Sequence, residues 1–183
     1  MKIEMNAFDK GSRSLFITDD INPRTAAVVV EGIEIINRKD DTREEMYKEG
    51  SIRKPITLYI NSYGGIVYDM LTILGAMDNS KAPIYTVCTG YAMSAAFIIF
   101  CAGVKRTAYR YATFMYHELF THRAEKLSSL RENLIETDRL QREMDKIVTR
   151  NTKISSEMLD SIRQTKQDRY FNYQEAKEYG IIN

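Results

Sequence analysis

Apolar positions along the chain alternate between two rhythms. Ser14-Leu15-Phe16-Ile17 and Ile56-Thr57-Leu58-Tyr59-Ile60 are short, rich in β-formers and bounded by polar residues, as strands are. Each precedes a stretch at helical spacing, one opened by Asn22-Pro23 and running from Arg24 to about Asn37, the other from about Val67 to Asp78. Ile84-Tyr85-Thr86-Val87-Cys88 repeats the theme, with the apolar run Phe97 to Ala102 behind it and Gly103 as its stop. Successive strand–helix units predict an α/β fold with parallel pairing and right-handed crossovers. Two further strands are expected over Arg106–Arg110 and Thr113–His117, which puts His117 at a strand's end.

Beyond them, Leu127, Leu130, Leu134, Thr137, Leu140, Met144, Ile147 and Val148 recur at steps of three and four residues. That stripe predicts an amphipathic helix from about Ala124 to Thr149, roughly 39 Å long at 1.5 Å per residue. A small globule does not cover such a length, so a second subunit is expected to bury part of it. Ile154 to Arg163 reads as a short helix, Asp168 to Phe171 as an extended segment, and Asn172 as the cap of a helix from Tyr173 to Tyr179 closed by Gly180. Between the first helix and the second strand, Arg38 to Lys54 is almost wholly polar and predicts a solvated connection.

Composition narrows the function classes. The 183 residues suit one domain, and 26 basic against 25 acidic residues leave a net charge of +1, no electrostatic basis for binding nucleic acid or an anionic membrane. No apolar run approaches a membrane span, and Met1 to Asp9 lacks a signal peptide's apolar stretch, so a cytoplasmic protein is expected. Cys88 and Cys101 lie in apolar runs without metal-ligand spacing and read as buried, reduced thiols. No metal and no cofactor is expected.

Candidate chemistry centres on Ser94, in Thr89-Gly90-Tyr91-Ala92-Met93-Ser94-Ala95-Ala96, between a strand-like and a helix-like run. A serine on a strand-to-helix turn has unpaired N–H groups and the positive helix end beside it, which stabilise developing negative charge. Taken alone, a serine among small residues more often packs a tight turn. Acyl transfer also needs a base, an orienting carboxylate and oxyanion donors. The chain has 2 histidines; His117, ending a strand near Ser94, is favoured over His122 in the polar approach to the long helix. Gly64-Gly65 ends a strand before a helix and leaves backbone N–H groups accessible; without a following Lys-Ser or Lys-Thr it suits an oxyanion better than a phosphate. Which of the 25 carboxylates orients the base does not follow from composition or spacing.

From about Ser14 to Ile182 the chain resembles the Clp protease proteolytic subunit (ClpP) family. Tyr59-Ile60-Asn61-Ser62-Tyr63-Gly64-Gly65 is similar to that family's YINSPGG segment, with Tyr63 in place of proline. Gly90-Tyr91-Ala92-Met93-Ser94-Ala95 resembles its nucleophile turn, Phe114-Met115-Tyr116-His117 the segment ending in its histidine, and Asp168-Arg169-Tyr170-Phe171 with Glu175 to Gly180 its DRF…EAxEYG signature. The resemblance implies a Ser94, His117 and Asp168 triad, with the Gly65 and Ala95 N–H groups as oxyanion hole. It implies the ClpP/crotonase fold, α/β with repeated ββα units and a long protruding handle helix, the handle region covering about 118–152 of a single domain. It further implies a homo-oligomer, as a heptameric ring or two stacked rings around the active sites, an AAA+ unfoldase partner, and peptides or unfolded proteins as substrates.

The chain departs from the family pattern in places. Its polar connection from Arg38 to Lys54 is longer, Glu118 to Lys126 replaces a Gly-rich handle strand, and short segments before Ser14 and after Gly180 predict a reduced entrance gate and tail. These mark a divergent member. Three other uses of the fold compete: a catalytically silent structural subunit, a crotonase-like acyl-CoA enzyme, and a dedicated processing protease such as one maturing a capsid.

Overall fold

The structure, a computed structural model, describes residues 12–47, 52–120 and 126–183. The chain alternates strand and helix through β1 (Ser14–Ile17), α1 (Pro23–Tyr47), β2 (Ile56–Ser62), α2 (Val67–Asn79), β3 (Ile84–Met93) and α3 (Ala95–Ala102). It continues with β4 (Lys105–Ala108), β5 (Thr113–Tyr116), α4 (Leu127–Asn151), α5 (Ser156–Thr165), β6 (Arg169–Phe171) and α6 (Tyr173–Glu178). The sheet runs β1-β2-β3-β5-β6, with β4 also on β3. Pairing is parallel as expected, except that β6 returns antiparallel to β5.

Alternation in β2 explains how the layers form. Ile56, Leu58, Ile60 and Ser62 are buried while Thr57, Tyr59 and Asn61 are half-buried, so one sheet face meets helices. Helix α1 offers Ala26, Val29, Ile33 and Ile36 to that core at helical spacing. Helix α3 is apolar all round and buried from Ala95 to Cys101, as a helix inside a core must be. Each large side chain it buries contributes about 1.5–3 kcal/mol relative to exposure. Phe97 lies at the centre of an aromatic cluster, packing on Phe114, Tyr116 and Phe171 at centroid distances of 6.2–6.3 Å.

Two expected boundaries are corrected. Helix α1 continues to Tyr47 through residues expected to form a solvated connection. Charge pairing holds that polar extension: Arg13 makes a two-bond fork with Asp40 at 2.8 and 2.9 Å, and Arg53 bonds Glu44 at 2.9 and 2.7 Å and also bonds Asp41. Strand β3 likewise runs on to Met93, where a turn was expected from Thr89. Its first half pairs with β4 and its last three residues, Tyr91 to Met93, pair with β5. The register against β2 shifts between, and there the Asn61 side chain accepts the Tyr91 N–H at 3.2 Å.

Helix α4 spans 25 residues, about 37 Å. Its later part joins the core through Met144 and Val148, whereas Leu134 and Ile135 are solvent-exposed. Buried Arg106 fastens the end of this helix to the end of the chain. Its guanidinium donates to the carbonyls of Asn151, Gly103, Gly180 and Ile181 at 2.6–3.0 Å. The Asn172 cap forms as expected, with Glu175 completing a capping box. Among the described residues no helix is long and apolar enough to cross a membrane.

Candidate active site

Ser94 caps α3 at the end of β3 with φ 53° and ψ −125°. A non-glycine residue holds such a backbone only where its surroundings over-determine it. Here the Ser94 N–H donates to the Met115 carbonyl at 2.9 Å, and the Ser94 carbonyl accepts from Phe97 and Ile98 at 3.0 and 3.2 Å. Strand β5 thus fixes the turn from one side and α3 from the other.

The same strand delivers His117, the candidate base. Met93 stands opposite Met115 in the parallel register, so His117, two residues on, clears the end of the sheet beside Ser94. His117 Nε2 lies 2.7 Å from Ser94 Oγ. With Nδ1 carrying the ring hydrogen, Nε2 accepts the hydroxyl proton, the direction that makes an alkoxide-like nucleophile.

Asp168 is brought to the same place by β6. Arg169 pairs with Tyr116 at the end of the antiparallel register, and Asp168 and His117 are the residues next to that pair in the chain. The Asp168 side chain is exposed, and among the described residues no hydrogen bond or ion pair joins it to the imidazole. Of the expected site residues, Ser94 and His117 are therefore in contact, and among the described residues no hydrogen bond or ion pair joins Asp168 to them. His122 lies outside the described residues.

Gly64 and Gly65 take φ values of 106° and 146°. A Cβ on Gly64 would come within 2.7 Å of the Met93 carbonyl oxygen and 2.8 Å of the Ser94 Cβ, so only glycine permits this approach to the serine turn. The Ile21 N–H donates to the Gly64 carbonyl at 2.7 Å and the Ile66 N–H to the Ile21 carbonyl at 2.8 Å. This bridge leaves the Gly65 N–H outside the ladder, and Ala95 at the first position of α3 has no intrahelical acceptor. Tyr63, at the position of the YINSPGG proline, packs its ring on Tyr91 at 4.4 Å and so ties the two turns together.

A cleft of about 250 Å³ opens between these parts, lined by Gly65, Val67, Ser94, Ala95, His117 and Leu119 among others. A second, of about 340 Å³, shares Gly65, Val67, Leu119 and Phe120 and extends to Tyr68, Glu136 and Leu140. Its polar edge is organised: Tyr68 Oη donates to Glu136 at 3.0 Å, and Arg139 grips both carboxylate oxygens at 2.7 Å. The Arg139 hydrogen bonds are the main cause that holds the Glu136 carboxyl down to about 2.

One group near the site escaped the sequence reading. Gln141 on α4 is buried, accepts the Leu119 N–H at 2.7 Å, and donates to Tyr116 Oη at 2.8 Å and Asp145 at 2.9 Å. Tyr116 also donates to Asp145, whose other oxygen receives Arg163 of α5. Burial first, and then the bond to Asp145, push the Tyr116 phenol well above its ordinary range, so it remains a donor. The available signal was spacing: Gln141 and Asp145 are one turn apart, each beside a stripe residue, Leu140 or Met144.

The cysteines are as expected, unpaired and buried, and burial pushes both thiols up to about 12. Among the described residues no three His, Cys, Asp or Glu side chains stand close enough to hold a metal ion.

A serine with a left-handed backbone at a strand–helix turn is thus hydrogen-bonded to a histidine beside a glycine turn, and comparison with known proteins gives the chain's kin. The model of the Clp protease family matches residues 5–183. The chain is similar to an ATP-dependent Clp protease proteolytic subunit 1 of Prochlorococcus marinus subsp. pastoris, 30% identical over 174 residues, covering 93% of this chain and 82% of the relative. It is also similar to a proteolytic subunit 2 of Corynebacterium jeikeium, 28% identical over 185 residues and covering 98% of this chain and 82% of the relative. A proteolytic subunit 1 of Thermobifida fusca is 29% identical over 185 residues, covering 98% and 78%. The chain belongs to the Clp protease family.

Proposed function

We propose that the chain is a serine endopeptidase that cuts peptide bonds in unfolded proteins or peptides inside a ring-shaped homo-oligomer. The observation that carries this reading is the 2.7 Å contact between Ser94 Oγ and His117 Nε2 at the end of an accessible cleft. Ser94 Oγ attacks the scissile carbonyl as His117 takes its proton; the tetrahedral oxyanion accepts from the Gly65 and Ala95 N–H groups. The imidazolium then gives the proton to the leaving amine, and water repeats the sequence on the acyl-enzyme with the same base. Asp168 orients the imidazole through Nδ1 and stabilises its cationic form once its side chain closes on the ring.

The exposed stripe of α4, with Leu134 and Ile135 open to solvent, suits burial against further copies in a heptameric ring or two stacked rings. The relatives are named ATP-dependent Clp protease proteolytic subunits, which supports a separate AAA+ unfoldase that feeds the ring as the source of ATP dependence. No cofactor enters the mechanism, and the protein works in the cytoplasm, where its two buried thiols stay reduced.

The missing contact between Asp168 and His117 favours a second reading, a structural subunit with a silent site. A fluorophosphonate separates the two. Stoichiometric labelling, mapped by mass spectrometry to Ser94 and abolished in Ser94→Ala, is expected of the peptidase. A serine that stays unlabelled in every assembly state contradicts it.

A further inference from the structure

We infer that Gln141 is a positioning residue for the bound peptide, acting through Leu119; this rests on the serine-peptidase reading above. Leu119 follows His117 by two residues and lines both clefts, so its backbone forms a wall that a substrate passes on the way to Ser94. Among the described residues no strand partner holds that wall, since β5 ends at Tyr116. Its N–H is held by the Gln141 side-chain carbonyl at 2.7 Å.

An amide side chain holds a neighbour in place only when its own other end is fixed. Gln141 satisfies this condition, because its Nε2 donates to both Tyr116 Oη and Asp145 Oδ1, at 2.8 and 2.9 Å. Asp145 is anchored by Arg163, and Tyr116 is almost fully buried in the sheet immediately before His117. The chain of contacts therefore runs from α5 through α4 to the two residues that flank His117 and Glu118. The network is buried at Gln141 and Tyr116 and part-buried at Asp145 and Arg163, and hydrogen bonds that fix both ends of an amide in this way restrain it. Helix α4 thereby sets the lateral position of the peptide wall, while the Ser94–His117 pair is fixed separately by β3 and β5.

Full-length Gln141→Leu tests this, with a quenched decapeptide as substrate and a small fluorophosphonate as a probe too short to run along Leu119. The expected result is about a tenfold loss of kcat/KM on the decapeptide, the worth of one hydrogen bond, expressed mostly as a rise in KM. Labelling of Ser94 by the phosphonate should slow by less than about twofold, and the melting temperature should stay within about 5 °C. Tyr116→Phe, which leaves Gln141 bonded to Asp145, should lose about threefold on the decapeptide, the smaller loss expected from a bond that is partly replaced.

Decapeptide cleavage by Gln141→Leu within about twofold of the wild type overturns the proposal. So does a parallel fall of decapeptide turnover, labelling rate and melting temperature, which marks general loss of structure. A wild-type protein that neither labels nor cleaves removes the serine-peptidase reading itself and the proposal with it, an outcome distinct from the other two.

Discussion

The two sides of the cleft are built from different materials. On the serine side, backbone does the positioning: Gly64 packs against Met93 and Ser94, Gly65 bridges to Ile21, and Ser94 is locked by main-chain bonds to Met115 and α3. On the histidine side, side chains from distant helices take over, with Gln141, Asp145 and Arg163 reaching Tyr116 and Leu119. Main-chain geometry tolerates almost no substitution where φ is positive or a Cβ would collide. A side-chain network tolerates more, and its failure is graded.

That contrast sets an order of expected effects. Asp168→Asn should lower kcat by about 10³–10⁴, if the aspartate closes on His117 during turnover. A loss under about threefold in peptide hydrolysis would assign Asp168 no part in the reaction and leave the histidine side to its network alone. Gly65→Ala comes next: its Cβ would lie 2.2 Å from the Ile21 carbonyl oxygen, at φ 146°. Strain of this kind costs about 1–3 kcal/mol, and the collision adds to it, so urea unfolding should show a lower midpoint and a loss of unfolding free energy at least that large. A Gly65→Ala variant as stable and active as the parent would break the claim that backbone governs the serine side.

Smaller effects belong away from the cleft. Arg53→Met should fray Arg38 to Tyr47, seen as faster amide exchange confined to that part of α1. Acid should act in the same place, because the Arg53 and Lys81 hydrogen bonds hold the Asp41 carboxyl below its ordinary 3.8. A lowered carboxyl stabilises the fold above its unfolded value, so helical signal from this end should be lost as pH falls below about 3.8. Least visible is the thiol chemistry. With Cys88 and Cys101 both pushed up to about 12, iodoacetamide at about pH 8 should modify neither until denaturant opens the core.

Elements whose identity depends on local pattern were legible in the sequence. The strands at Ser14, Ile56 and Ile84, the helix cap at Asn172 and the Gly103 stop all stand where spacing places them. Boundaries set by partners were not. Strand β3 runs past Thr89 because β5 arrives to pair with Tyr91, and α1 runs past Asn37 because Arg13 and Arg53 return from elsewhere in the chain. The candidate site divides in the same way. Ser94, Gly64 and Gly65 announce themselves through turn chemistry, and His117 by elimination between two histidines. Asp168 came only from the family signature, since nothing local distinguishes one exposed carboxylate from another. Gln141 was invisible because its role depends on which face of α4 meets the end of β5.

The serine side can be examined atom by atom in a crystal structure of the Ser94 phosphonate adduct. The account predicts a phosphonyl oxygen about 2.7–3.1 Å from both the Gly65 and Ala95 nitrogens, with His117 Nε2 still against the Ser94 oxygen. A phosphonyl oxygen directed to solvent, or bound by other donors, would contradict it.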